Sequence, residues 1–309
     1  MTVDTTYEHS SSKNILICIP AFNEEKNIAE VIQNAKKYAR EVIVYDDGSI
    51  DRTSEIATEC GAIVIRNPKN RGYGKALSEL FKYAVQRDVD IMLTLDSDGQ
   101  HDPNQVPILI EPILKDEADL VIGSRFLKRE VIKNIPSYRT LGIRAITRVT
   151  RVASYHNITD SQSGFRAYSR VALSKLNLYE DGMAISTEIL LKSKEQDLRV
   201  VEVPITIQYF GDSSTHNPVS HGISVMTHLL KHLSFRKPLL FYGLPGLIFL
   251  IASSIFMYTA LDNFSTKHIV STNLIILALG LAMMGMLLLA TSAIIFTLLS
   301  LFKGKIKDL

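Results

Sequence analysis

The sequence has little sulfur chemistry and almost no net charge. Its two cysteines, Cys18 and Cys60, form no CxxC pair, so we expect neither a disulfide framework nor a cysteine zinc site. Its 34 basic and 32 acidic side chains leave a formal net charge of +2. That balance by itself argues neither for nor against nucleic acid, and no other feature suggests such a partner.

The sequence also begins without an apolar segment. The first 13 residues are polar and lack the apolar core of a secretion signal. We therefore expect a flexible N-terminus over residues 1–13 and a following domain that stays in the cytoplasm.

Charged residues are absent from two long stretches near the other end, residues 238–261 and 269–302. A helix needs about 20 apolar residues to span a bilayer, so we predict two transmembrane helices within residues 238–302, at about 238–261 and 272–302. Buried core helices are the less favoured alternative. Lysines and arginines precede the first helix and follow the second, and basic flanks stay cytoplasmic. The prediction is a multi-pass membrane protein with a cytoplasmic first domain and a basic cytoplasmic tail, residues 303–309.

The segment before these spans has helical apolar spacing. Residues 223–237 are predicted to form an amphipathic helix at the membrane interface. His221, His228 and His232 fall near one face of it, and without neighbouring carboxylates or cysteines they indicate interfacial packing rather than a metal site.

Short apolar runs alternate with helical patterns from residue 14 onward. The runs cover residues 15–19, 42–45, 62–65, 91–95 and 120–122, and the helical patterns cover 24–38, 53–60, 75–86 and 104–114. Asn23 suits a helix N-cap, and Gly61 stands where a helix would end. Nearly continuous apolar strands separated by helices predict an α/β domain with a mostly parallel sheet. A longer helical pattern, residues 138–156, and one more strand, residues 199–207, follow.

Polar loops follow three of the predicted strands, at residues 20–24, 46–51 and 96–102. Parallel strands joined by right-handed crossovers end at the same edge of a sheet, where ligands of such folds bind. Asp96 and Asp98, spaced i, i+2, follow one strand directly and could share a divalent cation. Mg²⁺ and Mn²⁺ prefer oxygen ligands, commonly one or two carboxylates plus a substrate phosphate. The alternative is an ordinary Asp-Ser-Gly turn.

Five motifs stand in order along residues 14–222: Pro20-Ala-Phe-Asn-Glu24, Asp47-Gly-Ser49 with Asp51, Asp96-Ser-Asp98 with Gln100-His101 and Pro103, Gly123-Ser-Arg125, and Ser163-Gly-Phe-Arg166. Together they resemble glycosyltransferase family 2, and within it the polyprenyl-phosphate sugar synthases of the dolichol-phosphate mannose or glucose synthase group. The resemblance implies a Rossmann-like GT-A fold over residues 14–222. It also implies a nucleotide-sugar donor, Mg²⁺ or Mn²⁺, and inverting transfer to a polyprenyl (dolichyl-type) phosphate at the bilayer.

The resemblance also assigns roles to single residues. The nucleotide-sugar site would comprise Pro20, Phe22, Glu24, Asp47, Asp96 and Ser97. The cation would be held by Asp96, Asp98 and Gln100. Asp98 and Arg125 would act in catalysis, and Arg125 with Arg139 would contact the acceptor phosphate. His101 would orient the cation site rather than act as a base, while acceptor-loop and structural roles both stay open for Asp160 and Arg166.

A phosphate acceptor has a chemical consequence. Its second pKa lies near 6, so it is mostly a dianion at pH 7 and needs no general base. Cationic side chains must instead screen its repulsion from the donor diphosphate. Arg144, Arg148 and Arg151, spaced i, i+4, i+7, could do so, could meet anionic headgroups, or could form a solvated helix face.

Three other functions are less consistent with the sequence. A processive polysaccharide synthase resembling this family would carry a tryptophan-containing acceptor motif, and the chain has no Trp. A nucleotidyltransferase that makes nucleotide-sugars would show a Gly-rich phosphate loop, and residues 14–30 contain no Gly. A membrane scaffold would have no use for clustered carboxylates, which repel one another. The sugar, the base and the oligomeric state are not predicted.

Overall fold

A computed structural model describes residues 13–127, 137–154, 157–207 and 238–307, with single positions at 227, 230 and 234. The chain forms two compact units, Met1–Thr227 and His228–Leu309. The predicted N-terminal segment and the predicted interfacial helix, with His221, His228 and His232, lie almost wholly outside the described residues. Both remain predictions.

The first unit is built on a seven-stranded sheet. Its strands are β1 (Ile15–Ala21), β2 (Glu41–Asp46), β3 (Ile63–Arg66), β4 (Ile91–Thr94), β5 (Leu120–Ser124), β6 (Arg166–Ser169) and β7 (Val200–Pro204). Their order is β3-β2-β1-β4-β6-β5-β7. Only β6 runs antiparallel to its neighbours among these strands, so β1, β2, β4 and β5 all end at one edge.

Helices cover both faces of this sheet. They are α1 (Ile28–Ala35), α2 (Thr53–Glu59), α3 (Tyr73–Gln86), α4 (Val106–Leu114), α5 (Ser137–Ser154), α6 (Arg170–Lys175) and α7 (Ile185–Glu195). Successive side chains of a strand point to opposite faces. Accordingly Ile17 and Ile19 of β1 pack into one buried cluster, and Leu16 and Cys18 pack into the other. The predicted α/β sheet with apolar cores on both faces is confirmed.

Two local predictions about helix ends had different outcomes. Gly61, with φ +71°, ends α2 as predicted, and the N–H of Ala62 reaches back to the carbonyl of Ala57. The prediction that Asn23 caps the first helix is wrong. Asn23 has a positive φ of 57° and its side chain accepts from the N–H of Ile50, while α1 begins four residues later than expected, at Ile28.

The second unit contains two long helices, α8 (Leu244–Lys267), preceded by a π-helical turn (Leu239–Gly243), and α9 (Thr272–Lys307). Two stretches, Leu239–Lys267 and Thr272–Leu299, are long and apolar enough to cross a membrane. The first runs past the predicted end at residue 261, through Asp262 to Lys267. The second helix continues into the predicted tail, as far as Lys307. Helical hydrogen bonding therefore does not stop where the apolar run stops.

Small residues bring α8 and α9 together. A Cβ on Gly285 would lie 2.8 Å from the carbonyl oxygen of Gly246, so only glycine permits this approach. Ser253 Oγ donates to the carbonyl of Ala278 at 2.7 Å. Close backbones and interhelical serine bonds are how helices associate in lipid, and the pair forms an antiparallel hairpin.

Candidate active site

Many of the residues predicted to bind ligands stand at the carboxyl ends of β1, β4 and β5. Phe22 and Glu24 follow β1, Asp96 and Asp98 follow β4, and Arg125 follows β5. Because β1 and β4 are hydrogen-bonded neighbours, the loops that follow these two strands are adjacent. The structure thus brings the acidic residues of the first and third motifs to one place.

Asp96 is contacted through both of its carboxylate oxygens. Its Oδ1 lies 3.3 Å from the hydroxyl of Tyr73 and its Oδ2 lies 3.3 Å from Nε2 of His101. A Cβ on Gly164 would overlap both oxygens, so the backbone of the fifth motif packs against the carboxylate. His101 thus contacts Asp96, and its role in orienting a cation site stays a prediction.

The surroundings of Asp96 favour its charged form. Burial raises its pKa, but the imidazole of His101, the charge of Arg125 and the phenol of Tyr73 outweigh burial and hold the pKa below its ordinary value. Burial, together with the charge on Asp96, raises the pKa of the Tyr73 phenol well above its ordinary value. Tyr73 is therefore protonated and donates its hydrogen to Asp96.

Asp98 and Glu24 have the opposite character. Burial and the neighbouring charge of Asp96 raise the pKa of Asp98. Burial raises the pKa of Glu24, and the charges of Asp98, Asp51 and Asp96 raise it further. These carboxylates repel one another, and a divalent cation would relieve that repulsion. The backbone N–H of Gln100 donates to Asp98 at 3.0 Å, which fixes the start of the turn.

Asp47, predicted to bind the base, is engaged by its own chain. Its carboxylate accepts from the N–H groups of Arg71 and Gly72 and from the amide of Asn67, at 2.7–3.0 Å. The side chain is only 3% exposed. Asp47 therefore anchors the loop that leads into α3, and its role toward a base stays a prediction. Pro20 and Ser97 are also buried, and Phe22 and Gln100 are half-buried.

Arg125 is held in a bidentate ion pair with Asp160, through Nε at 2.6 Å and Nη2 at 2.8 Å. Asp160 is fully buried, and Glu202 of β7 accepts from its backbone N–H. Burial raises the pKa of Asp160, but the charge and hydrogen bonds of Arg125 lower it below its ordinary value. For Asp160 the structure shows a structural contact, one of the two roles that the sequence left open.

Other arginines occupy distinct positions. The guanidinium groups of Arg125 and Arg144 lie 5.9 and 5.7 Å from the centre of the same ring, Phe126. Arg151 donates to the carbonyl of Ile158. Arg166 is buried and donates to three carbonyl oxygens, so it braces the loop before β6. Arg139 belongs to α5, but its side chain lies outside the described part of the chain.

Tyr73 was not predicted from the sequence. The predicted helix began at residue 75, and the phenol meets a carboxylate 23 positions away. The available signal was the Gly72-Tyr73-Gly74 sequence, because glycines on both sides of an aromatic residue permit close approach of backbone.

The sequence profile of glycosyl transferase family 2 matches residues 16–176. The chain belongs to glycosyltransferase family 2. A protein of Methanocaldococcus jannaschii without assigned function is 39% identical over 69% of this chain and 87% of its own length. The UDP-N-acetylglucosamine–dolichyl-phosphate N-acetylglucosaminyltransferase of Methanococcus voltae is 33% identical over 70% of this chain and 92% of its own length. A dolichol-phosphate mannosyltransferase of Pyrococcus furiosus is 37% identical over 62% of this chain and 56% of its own length.

Solved structures agree on the fold. Glucosyl-3-phosphoglycerate synthase of Mycobacterium tuberculosis, crystallised with Mn²⁺, UDP and glucosyl-3-phosphoglycerate, superposes with a TM-score of 0.61 at 22% identity. The match covers 75% of this chain and 84% of that chain. The predicted GT-A fold is thereby confirmed, and this family 2 member is a glycosyltransferase with relatives named as polyprenyl-phosphate sugar transferases.

Proposed function

We propose that this glycosyltransferase moves a sugar from a nucleotide-diphosphate sugar to a polyprenyl phosphate, with inversion, at the cytoplasmic face of a membrane. Asp96, Asp98 and Gln100 would hold a Mg²⁺ or Mn²⁺ ion. The observation that carries the proposal is the pair Asp96 and Asp98, one held charged by its neighbours and the other crowded by that charge. The named relatives supply the acceptor class.

The acidic residues fit a cation that is completed by its substrate. Among the residues that the structure describes, no three His, Cys, Asp or Glu side chains are placed to hold a metal by themselves. Mg²⁺ and Mn²⁺ sites in nucleotide enzymes commonly combine one or two carboxylates with substrate phosphate. Asp96 and Asp98 supply two such ligands, and the donor diphosphate would supply the rest. A bound cation of this kind stabilises negative charge on the departing diphosphate.

The residues around the site would position the donor. Asp96 keeps one orientation because both of its oxygens accept hydrogen bonds. Glu24 stands beside this pair, and burial, with the charges on Asp98 and Asp96, raises its pKa. Pro20, the second-last residue of β1, with Phe22 and Ser97 on the loops after β1 and β4, completes the proposed nucleotide-sugar site. Asp47 is proposed to act on the base side through the loop that it anchors.

The acceptor would be recognised through its phosphate. One phosphate oxygen forms a bond to the anomeric carbon while the bond from that carbon to the diphosphate breaks, and attack from the opposite face gives inversion. A dianionic phosphate needs no base for this step. Arg125 and Arg139 are the proposed phosphate contacts, and Arg144 lies beside Arg125 against Phe126. These charges would offset repulsion between the two substrates.

The hairpin would place the enzyme where its acceptor is. Large apolar side chains stand exposed along both helices, among them Leu247, Ile251, Ile255, Met283 and Leu287. Such a surface is stable in lipid and costly in water. The basic residues that flank the spans favour a cytoplasmic location for the first unit.

The test is transfer by the full-length protein in detergent. A panel of UDP- and GDP-sugars is incubated with a short polyprenyl phosphate, the glycolipid product is identified by mass spectrometry, and its anomeric configuration is determined by NMR. We expect one donor to give a polyprenyl-phosphate sugar of inverted configuration, no product with the corresponding polyprenol, and none with Asp98→Asn. Transfer to 3-phosphoglycerate but not to polyprenyl phosphate would overturn the proposed acceptor.

A further inference from the structure

We infer that Tyr73 is a positioning residue that orients the carboxylate of Asp96 for a divalent cation and so sets the cation affinity of the site. Tyr73 belongs to none of the five motifs and would touch neither substrate nor metal directly. The inference rests on the proposed function, because it assumes that Asp96 is a cation ligand.

The carboxylate of Asp96 is held on three sides. The hydroxyl of Tyr73 approaches Oδ1 and the imidazole of His101 approaches Oδ2, each at 3.3 Å. The backbone at Gly164 closes a third side, since a Cβ there would overlap both oxygens. The two hydrogen-bond donors and the backbone at Gly164 together restrict rotation about the Cβ–Cγ bond of Asp96. The remaining lone pairs of Asp96 then have a fixed direction.

Tyr73 is itself fixed by the backbone on both sides. Gly72, at φ +99°, donates its N–H to Asp47 at 2.7 Å. Gly74 is so close to the carbonyl oxygens of Glu180 and Gly182 that a Cβ would overlap them. The N–H of Lys75 donates to the carbonyl of Asp181 at 3.1 Å. The phenol thus projects toward Asp96 from a rigid start of α3.

This arrangement joins two motifs that are distant in sequence. Asp47 follows β2 and binds the N–H of Gly72, while Tyr73, the next residue, donates to Asp96 after β4. Through Gly72 and Tyr73, the loop before α3 thus links the carboxylate after β2 to the carboxylate after β4. A change in the Asp47 anchor is therefore expected to reach the cation ligand through Tyr73.

The expected change in Mn²⁺ affinity can be estimated from other metal sites. Removing a hydrogen-bond partner of a ligating side chain typically lowers metal affinity about ten- to a hundredfold. Tyr73→Phe removes one oxygen atom and keeps the ring, so it isolates this contact. We expect the Kd for Mn²⁺ to rise by about tenfold or more.

The experiment measures Mn²⁺ binding rather than activity. Full-length protein in detergent is titrated with Mn²⁺ in the presence of UDP or GDP, and free Mn²⁺ is followed by electron paramagnetic resonance. The matched control is Tyr83→Phe, on the same helix, which loses a hydroxyl that accepts a hydrogen bond from Nε of Arg87 at 2.9 Å. Thermal unfolding of both variants reports whether the fold is retained.

A double-mutant cycle separates positioning from stability. If Tyr73 acts through Asp96, Tyr73→Phe should have little effect on the remaining Mn²⁺ affinity in an Asp96→Asn background. The activity of Tyr73→Phe should also recover at high Mn²⁺, because the lost hydroxyl affects Mn²⁺ binding and not the transfer step. Equal Mn²⁺ affinity of wild type and Tyr73→Phe overturns the inference alone. A wild-type protein that binds no Mn²⁺ refutes the cation of the proposed function, and the inference falls with it.

Discussion

Arg125 and Asp160 form a buried ion pair in which Nε and Nη2 of the guanidinium lie 2.6 and 2.8 Å from the two carboxylate oxygens. The arginine side chain is 13% exposed and the aspartate is fully buried. Part of the charge of Arg125 is thus matched before any acceptor arrives. A dianionic phosphate would need further cations, and Arg144, whose guanidinium lies over the same Phe126 ring, is one described candidate.

The pair predicts a stability effect of Asp160→Asn. Removing one member of a buried ion pair typically costs about 3–5 kcal/mol, because the other charge is left without compensation. We expect a clear fall in the unfolding temperature measured by circular dichroism in detergent. Arg125→Ala should cost at least as much, because it leaves the fully buried Asp160 carboxylate without its partner, and it should raise the KM for polyprenyl phosphate without changing nucleotide affinity. An Asp160→Asn protein as stable as wild type would contradict the structural role.

The same pair predicts a pH dependence. The pKa of Asp160 in the folded protein is below its ordinary value, which is about 3.9 in an unfolded chain. The stabilisation is therefore fully present above pH about 4 and is lost as pH falls through the folded-state pKa. The difference in unfolding free energy between wild type and Asp160→Asn should be constant from about pH 5 to 8 and should shrink toward pH 3. A difference that grows on acidification would contradict the assignment.

Arg144→Ala should raise the KM for the phosphate acceptor and leave the affinity for the nucleotide-sugar donor unchanged. A charge-assisted contact with phosphate is worth about 1.5–3 kcal/mol, or roughly one to two decades in KM. Arg87→Ala is the matched control, because Arg87 also lies over an aromatic ring, Tyr83, at 5.1 Å. The assay is run with a short isoprenyl phosphate in neutral detergent. If the loss appears only in anionic vesicles, Arg144 meets lipid headgroups instead.

Asp98→Asn should abolish transfer while the fold is retained. Burial and the charge of Asp96 raise the pKa of Asp98. The change removes a buried charge and its repulsion from Asp96, so thermal stability should be unchanged or slightly higher. EDTA should inactivate the wild type, and Mn²⁺ or Mg²⁺ should restore it. Normal turnover in metal-free buffer would contradict the proposed cation dependence.

The repeating core of the fold could be predicted because it follows from periodicity. Five apolar runs, each between helical patterns, became the strands β1 to β5, since near-continuous apolar strands suit a sheet covered on both faces. β6 could not be predicted in this way. It has four residues, begins with the buried Arg166, and lies antiparallel between β4 and β5. In the sequence an arginine at this position suggests a polar loop. Its burial in a strand is possible because its guanidinium donates to backbone carbonyl oxygens.

The candidate site could be predicted only in part, for a similar reason. Topology brings strand ends together, so Glu24, Asp96 and Asp98 could be grouped in advance. Side-chain contacts across loops depend on backbone turns that have no period. Tyr73 reaches Asp96 because Gly72 and Gly74 allow a close approach, and Asp160 reaches Arg125 through a loop supported by Glu202. Neither contact can be predicted from the spacing of the residues in the sequence.

The hairpin offers a prediction with an internal control. Gly285→Val places a side chain against the carbonyl of Gly246, where a Cβ would already lie at 2.8 Å, whereas a Cβ on Gly280 of the same helix meets nothing within 4 Å. We expect Gly285→Val to separate α8 from α9, and Gly280→Val to leave their packing unchanged. Disulfide formation between cysteines placed at positions 253 and 278, where Ser253 now bonds the Ala278 carbonyl, measures the packing.

The consequence for activity separates anchoring from chemistry. If the hairpin only concentrates the enzyme at the bilayer, Gly285→Val should reduce transfer to a long-chain acceptor in vesicles much more than transfer to a short soluble acceptor. Gly280→Val should change neither rate. Equal losses on both acceptors for Gly285→Val would show that the packed hairpin contributes to the active site. Crosslinking that is unchanged in Gly285→Val would instead refute the close approach of α8 and α9 at Gly246.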